Sequence, residues 1–284
     1  MAEFNPAAFK ATTHQQWNAV AERWNAWGPL LDHWLGPVTE ILLDMAEVRP
    51  GSRVLHIAGG SGQEALQSAR RVGPSGFVLT TDFSEALTEL AGQNLAAAGL
   101  DNAQARLMDG EDFVLDEAAF DAVLSRVGLI FFPDQVGSVR HQAATLKPGG
   151  RVGAIVYAAA EECRFFSDPV AVIRRRAQLP PPLPGQPGPF SLGAPGRIDE
   201  LFAAAGLVDI DVRKVEAPLI LESAAECLRF EQESFGALHQ MLGGLDEAAK
   251  SAAWNEVGES LAAFQSNGRF EGPCAMVIAV GRKA

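Results

Sequence analysis

The chain has 284 residues and sets 23 Lys and Arg against 35 Asp and Glu, a formal charge of −12. With no basic stripe to neutralise phosphates, that balance excludes DNA or RNA as the main partner. A composition of 48% hydrophobic and 20% charged residues fits a globular protein, long enough for one large domain or two small ones.

No apolar stretch reaches the roughly 18–20 residues that a membrane-spanning helix needs. The first residues, "MAEFNPAAFKATTHQQW", lack the basic-then-apolar order of a secretory signal. Cys163, Cys227 and Cys274 form no CxxC pair, which points to buried thiols in a reducing compartment and to no structural zinc. The expected location is the cytoplasm, with no membrane partner.

Residues 14–47 place Trp17, Val20, Trp24, Trp27, Leu31, Trp34 and Leu35 near helical spacing, broken by Gly28-Pro29 and Gly36-Pro37. The spacing predicts two or three amphipathic helices, a cap over 1–48. From residue 52 strand-like and helix-like runs alternate. "RVLHIA", "GFVLTTD", "AQARLMD", "FDAVLSR" and "GGRVGAIVYA" read as strands. "GQEALQSARRV", "SEALTELAGQNLAAAG" and "DQVGSVRHQAATL" read as helices. The pattern predicts an α/β fold with a doubly wound, mostly parallel sheet and a core over 49–160.

After Tyr157 the rhythm stops. Residues 161–284 are expected to complete the same domain. The Pro-rich stretch 179–196, "LPPPLPGQPGPFSLGAPG", is read as a partly ordered loop over the sheet edge. "RIDELFAAAG" reads as a helix and "LVDIDVRKVE" as a strand. Residues 222–266 read as a helical insert, and "PCAMVIAVGRK" as the last strand.

In an open parallel sheet, ligands bind beyond the carboxyl ends of the strands, where the strand order reverses. After the first strand, Ala58, Gly59, Gly60, Ser61 and Gly62 let a ligand approach the backbone and open a helix whose free N–H groups favour negative charge. Asp82 follows about twenty residues later, the usual place for an acid that accepts ribose hydroxyls. Asp109-Gly110 ends the third strand and Ser125-Arg126 the fourth. Taken alone, the glycine turn also fits a dinucleotide fingerprint, which keeps a nicotinamide-dependent oxidoreductase in view. A Tyr-x-x-x-Lys dyad for that chemistry is missing, since Tyr157 is the single tyrosine and residue 161 is Glu.

"VLHIAGGSG", "TTDFSEAL", "MDGEDFVLDEAAFDAVLSRVGLIFFPD" and "LKPGGRV", in this order, resemble the successive motifs of class I S-adenosylmethionine-dependent methyltransferases. The ubiquinone/menaquinone C-methyltransferase-like branch is the most similar in appearance, over about residues 40–160. The resemblance implies a Rossmann-like seven-stranded sheet with an antiparallel last strand, S-adenosyl-L-methionine as cofactor, and a small-molecule acceptor. It also implies a cofactor site of His56, Ala58, Gly59, Gly60, Gly62, Asp82, Phe83, Asp109, Gly110 and Ser125. Within it, Gly60 and Gly62 would line the methionine portion, Asp82 would hold the ribose, and Asp109 with Gly110 would meet the adenine.

His56 departs from the family pattern, which usually has Asp there to help hold the cofactor's ammonium group. Three readings stay open: weakened cofactor binding, another task near the substrate, or a side chain turned away in packing. Candidates for a catalytic base are His33 and Tyr157, and His56 itself. Trp24, Trp27, Trp34, Phe131, Phe132, Phe190, Phe230 and Phe235 are candidates for an aromatic chamber suited to an apolar or aromatic acceptor. A methyltransferase-fold protein that does not methylate, acting as a cyclase or a binder, is the main rival. Pairing of Trp-rich N-terminal helices is one route to a homodimer.

Overall fold

In the computed structural model, which describes residues 4–183 and 185–284, the chain opens with helices α1 (Pro6–Ala26) and α2 (Gly28–Met45). Asn5 caps α1 by accepting from the Ala8 amide at 3.0 Å, and Pro6 stands in the first turn, where its missing N–H is harmless. Gly28-Pro29 separates the two helices as expected. Gly36-Pro37 does not, and α2 runs through Pro37. The bond lost at Pro37 is outweighed by Leu31, Trp34, Leu35, Leu42 and Leu43, each buried for roughly 1.5–3 kcal/mol.

Strand and helix then alternate as β1 (Arg53–Ile57), α3 (Gln63–Val72), β2 (Phe77–Asp82), α4 (Glu85–Ala97) and β3 (Ala103–Leu107). β4 (Phe120–Arg126), α5 (Gln135–Thr145) and β5 (Leu146–Tyr157) follow. The remainder supplies α6 (Arg164–Arg176), α7 (Arg197–Ala204), β6 (Leu207–Glu216), β7 (Leu219–Leu221), α8 (Ala224–Ser234) and α9 (Gly236–Met241). The chain closes with α10 (Glu247–Ala262), β8 (Gln265–Ser266), β9 (Arg269–Gly272) and β10 (Ala275–Lys283).

Seven strands form one sheet in the order β3-β2-β1-β4-β5-β10-β6. β1 to β5 pair in parallel, and β10 runs antiparallel to both β5 and β6. This is the mostly parallel, doubly wound α/β arrangement expected, down to the reversed last strand. Central strands covered on both faces explain runs such as Val54-Leu55 and Ala122-Val123-Leu124, all buried. The order reverses between β1 and β4, so the crevice opens above those two strands.

Three features differ from the sequence reading. Residues 164–176 form α6 where the alternation had lapsed, with Phe165, Phe166, Val172 and Ile173 buried against the core. The helical reading of 222–266 ends early: β7, β9 and β8 make a small antiparallel sheet, and Asn267-Gly268 turns between Ser266 and Arg269. Both turn residues have positive φ, the two-residue hairpin signature that this dipeptide favours. The Pro-rich loop does not lie over a sheet edge. It docks on the strand ends, with the Gly188 N–H donating to Ile130 O at 2.9 Å and Phe190 packed on Tyr157 and Phe166.

All three cysteines are buried and unbridged. Among the described residues, no helix is long and apolar enough to cross a membrane.

Candidate cofactor and acceptor site

The bend after β1 is built by steric exclusion. A Cβ on Gly59 would lie 2.1 Å from Thr80 Oγ1, so a side chain there has no room. Gly60 follows at φ +57°, a left-handed conformation that glycine adopts without cost. Its N–H donates to Asp82 Oδ2 at 3.0 Å, and the Ser84 N–H donates to Oδ1 at 2.9 Å. Asp82 is thus fixed at the end of β2, beside the glycine turn. Burial pushes its carboxyl up to about 6, even though amides of Ser84, Gly60 and Phe83 pull the other way.

Above this bend lies a cavity of about 900 Å³, open mouth included. The sheet order sets its layout. The β2–β3 side contributes Asp82, Phe83, Met108, Asp109 and Gly110, and the β4–β5 side contributes Arg126, Phe131 and Tyr157. Ala58 and Val127, at the ends of β1 and β4, both line it with positive φ, +54° and +51°. For a β-branched residue such as Val127 this is strained backbone, a feature that clusters at ligand sites.

α1 adds Lys10, Thr13, Trp17 and Trp24 to the wall. Lys10 Nζ is 2.5 Å from Asp109 Oδ2 and 2.8 Å from Glu111 Oε2. Burial alone would lower this ammonium's pKa, but the two carboxylates outweigh it and hold it above the usual lysine value. Asn18 ties the same helix to the start of α4, accepting from Ser84 Oγ at 2.7 Å and donating to Glu85 Oε2.

Of the residues anticipated for cofactor binding, Ala58, Gly60, Asp82, Phe83, Asp109 and Gly110 share the cavity wall. His56, Gly59, Gly62 and Ser125 do not. Gly59 faces Thr80, and Gly62 packs against Ala91 of α4. Ser125 is buried with its hydroxyl unpartnered. His56 points to α3, with Nε2 2.9 Å from Ser68 Oγ and Nδ1 3.2 Å from Glu64 Oε1, off the hydrogen-bonding direction. Of the three readings of this residue, the side chain turned away into packing is the one the structure contains. A carboxylate does stand next to the turn, supplied by Glu64 from the first turn of α3, and its Oε2 lies 3.5 Å from Arg126 Nε.

Of the two anticipated bases, Tyr157 lines the cavity and His33 does not. His33 sits in a separate recess with Pro37, Val38, Glu216 and Pro218, because the helical turn that buries Trp34 carries it outward. Burial, with Cys274, Cys163 and Glu231 nearby, drives the Tyr157 hydroxyl well above the usual tyrosine value. It is therefore a neutral donor rather than a base. The expected chamber residues Trp24, Phe131, Phe132 and Phe235 line the cavity. Trp27 and Trp34 instead serve packing, donating to Glu233 Oε2 and Ala217 O. Phe190 and Phe230 also lie outside it. Trp17, Phe166 and Lys10 are wall residues the sequence reading missed, and Arg126, named there only as a strand end, joins them. Trp17 carried a signal, standing seven residues before Trp24 on one helix face, with ring centroids 5.3 Å apart.

The family model for a methyltransferase domain matches residues 54–150. The nocamycin O-methyltransferase of Saccharothrix syringae is 31% identical over 214 residues, 68% of this chain and 71% of that one. The chain belongs to the class I S-adenosylmethionine-dependent methyltransferases. The chain is also 35% identical over 111 residues to the ubiquinone/menaquinone biosynthesis C-methyltransferase of Idiomarina loihiensis, 39% of this chain and 44% of that one. Two solved structures share its fold. A Haemonchus contortus phosphoethanolamine N-methyltransferase, solved with S-adenosylhomocysteine, has a TM-score of 0.58 at 16% identity and covers 91% of this chain and 57% of that one. The [4+2]-cyclase SpnF has a TM-score of 0.55 at 17% identity, covering 94% and 95%.

S-adenosylmethionine is the cofactor of this family, and the residues present fit it. A carboxylate buried at the cavity wall stands beside a bend that admits no side chain, since a Cβ on Gly59 would strike Thr80. A Cβ on Gly110 would likewise meet Ile57 and Phe132 at 2.6 Å, so close packing of the turn after β3 requires glycine at this point of the wall. The family assignment stands against the nicotinamide alternative.

Proposed function

We propose that the protein transfers a methyl group from S-adenosylmethionine to a small apolar or aromatic acceptor. The observation that carries this reading is one cavity whose wall combines Gly60, Asp82 and Asp109 with the rings of Trp17, Trp24, Phe131, Phe166 and Phe235. When bound, the cofactor supplies a methyl carbon already activated by its sulfonium. Asp82 would accept the ribose hydroxyls, Asp109 and Gly110 would meet the adenine edge, and the Gly60 bend would lie under the methionine portion. The chain's own contribution is alignment and water exclusion. Orientation of this kind supplies roughly 7–11 kcal/mol of barrier lowering.

A second reading, a cyclase or binder that keeps the cofactor pocket, draws support from the absence of histidine among the described residues of the cavity wall. Calorimetric titration with S-adenosylmethionine, S-adenosylhomocysteine and NADPH tests the cofactor assignment, and binding of NADPH alone would overturn it. Mass spectrometry on acceptor panels of quinones, phenols and acids then separates the two readings. A product heavier by one methylene supports transfer. Rearrangement at unchanged mass supports the cyclase.

A further inference from the structure

Resting on that reading, we propose that Arg126 and Tyr157 form an oxyanion-recognising pair, and that the acceptor is an acidic aromatic or enolic compound methylated as its anion. Arg126 pairs with Ile155 across β4 and β5, so Tyr157, two residues further on, shares its face of the sheet. Strand spacing and rise put the two Cα atoms about 8 Å apart, within reach of two long side chains that both enter the cavity.

The guanidinium is held in place from behind. Its Nη1 donates to Thr39 Oγ1 at 3.1 Å, and its Nε faces Glu64 Oε2 at 3.5 Å. Among the described residues Nη2 has no protein acceptor, and neither has the Tyr157 hydroxyl. Two donors, one of them on a guanidinium whose Nε edge faces Glu64, therefore stand in a wall that also carries Trp17, Trp24, Phe166 and Phe235. Donors without acceptors in such a wall favour a ligand that is flat, apolar and negatively charged at one oxygen.

The rest of the wall points the same way. Its other ionisable groups are Lys10, Asp82, Asp109 and Glu111. Lys10 is shared between Asp109 and Glu111, and Asp82 is held by backbone amides. None of these is free to take a proton from a neutral phenol. An acceptor that arrives ionised needs no base: its anionic oxygen forms the new bond to carbon while the carbon–sulfur bond breaks, and the sulfur keeps that electron pair as a neutral thioether. No proton changes hands. Arg126 and Tyr157 then serve to select and orient the anion.

The test is calorimetry on the full chain saturated with S-adenosylhomocysteine, using matched probes: 4-hydroxycoumarin against coumarin, and 2-naphthoate against 2-naphthamide. The readout is the ratio of anionic to neutral affinity within each protein, so a general weakening cancels. A wild-type ratio of tenfold or more, falling to threefold or less in both Arg126→Gln and Tyr157→Phe, is expected. Equal affinities, no binding of any anionic probe, or a ratio retained in either variant would overturn the proposal. If Arg126→Gln weakens S-adenosylhomocysteine while the ratio persists, the guanidinium serves the cofactor and the proposal also falls. If that variant does not fold, Tyr157→Phe decides alone. Failure of S-adenosylhomocysteine to bind wild-type protein sinks the methyltransferase reading instead, which keeps the two failures apart.

Discussion

At Asp82, burial and backbone donors pull one carboxyl in opposite directions, and burial wins. With a folded-state pKa of about 6, above an unfolded value of about 3.9, the native chain holds this proton where the unfolded chain has released it. The stability this group contributes is therefore full at low pH and declines as pH rises from roughly 4 to 6. A ribose diol needs the ionised form as acceptor, so ligand binding runs the other way. Affinity for S-adenosylhomocysteine is expected to weaken about tenfold per pH unit below 6 and to level off above 7. Asp82→Asn should flatten that profile, and a wild-type profile already flat between pH 5 and 8 would remove Asp82 from the site. Glu231 on α8 is a harsher case, with both carboxyl oxygens buried and unpartnered, and burial holds its pKa well above the carboxylate range. Replacing it by Met should stabilise the fold by about 1–3 kcal/mol at neutral pH, read as a higher melting temperature. A lower one would reveal a partner for that acid.

At the scale of elements, α1 is the outlier. It buries only Thr13, Val20 and Ala21 and is held by ring contacts of Trp17 with Phe131 and Trp24 with Phe235, together with polar contacts: Lys10 to the rim, His14 and Asn18 to Glu85, and Asn25 to Asn94. Partly exposed ion pairs contribute about 1 kcal/mol or less, so Lys10→Ala should barely move the melting temperature. Amide exchange in the first turns of α1 should quicken, and acrylamide should quench tryptophan emission more strongly. Unchanged exchange would mean that apolar packing, not the rim, holds the helix. Elements with one strong signal were legible from sequence: β1 to β5 by apolar runs between glycine turns, and α4 by its Ser84 cap. α6 was missed because Pro169 interrupts its pattern and no strand follows to continue the alternation. The β8–β9 hairpin was missed although Asn267-Gly268 signals it, because two- and four-residue strands are too short to show alternation.

For the whole molecule, the sheet order brings together what the sequence scatters. The polar part of the cavity wall was readable because each contribution comes at a strand's carboxyl end, a place fixed by topology. The aromatic part was less completely readable. Its wall draws on α1, the turn after β4, the end of β5, α6 and the residue after α8, and spacing within one segment does not reveal which ring faces inward. The polar and aromatic contributions to this wall are separable by substitution. Phe131→Ala is expected to weaken the anionic probes about tenfold more than it weakens S-adenosylhomocysteine, whereas Asp82→Asn does the reverse. In the double variant the two losses should add within about 0.5 kcal/mol, measured by calorimetry. A shortfall beyond that would mean that cofactor and acceptor order one another.

One wall of the cavity is a helix tied to its surroundings by side-chain tips and ring contacts. Release of a few polar links and two ring contacts along this 21-residue segment would widen the cavity without motion of the sheet. Segments with few buried apolar contacts open at low free energy, well short of global unfolding. Where such an opening limits turnover, a faster enzyme would be sought by loosening the doorway rather than by changing the bond-making centre.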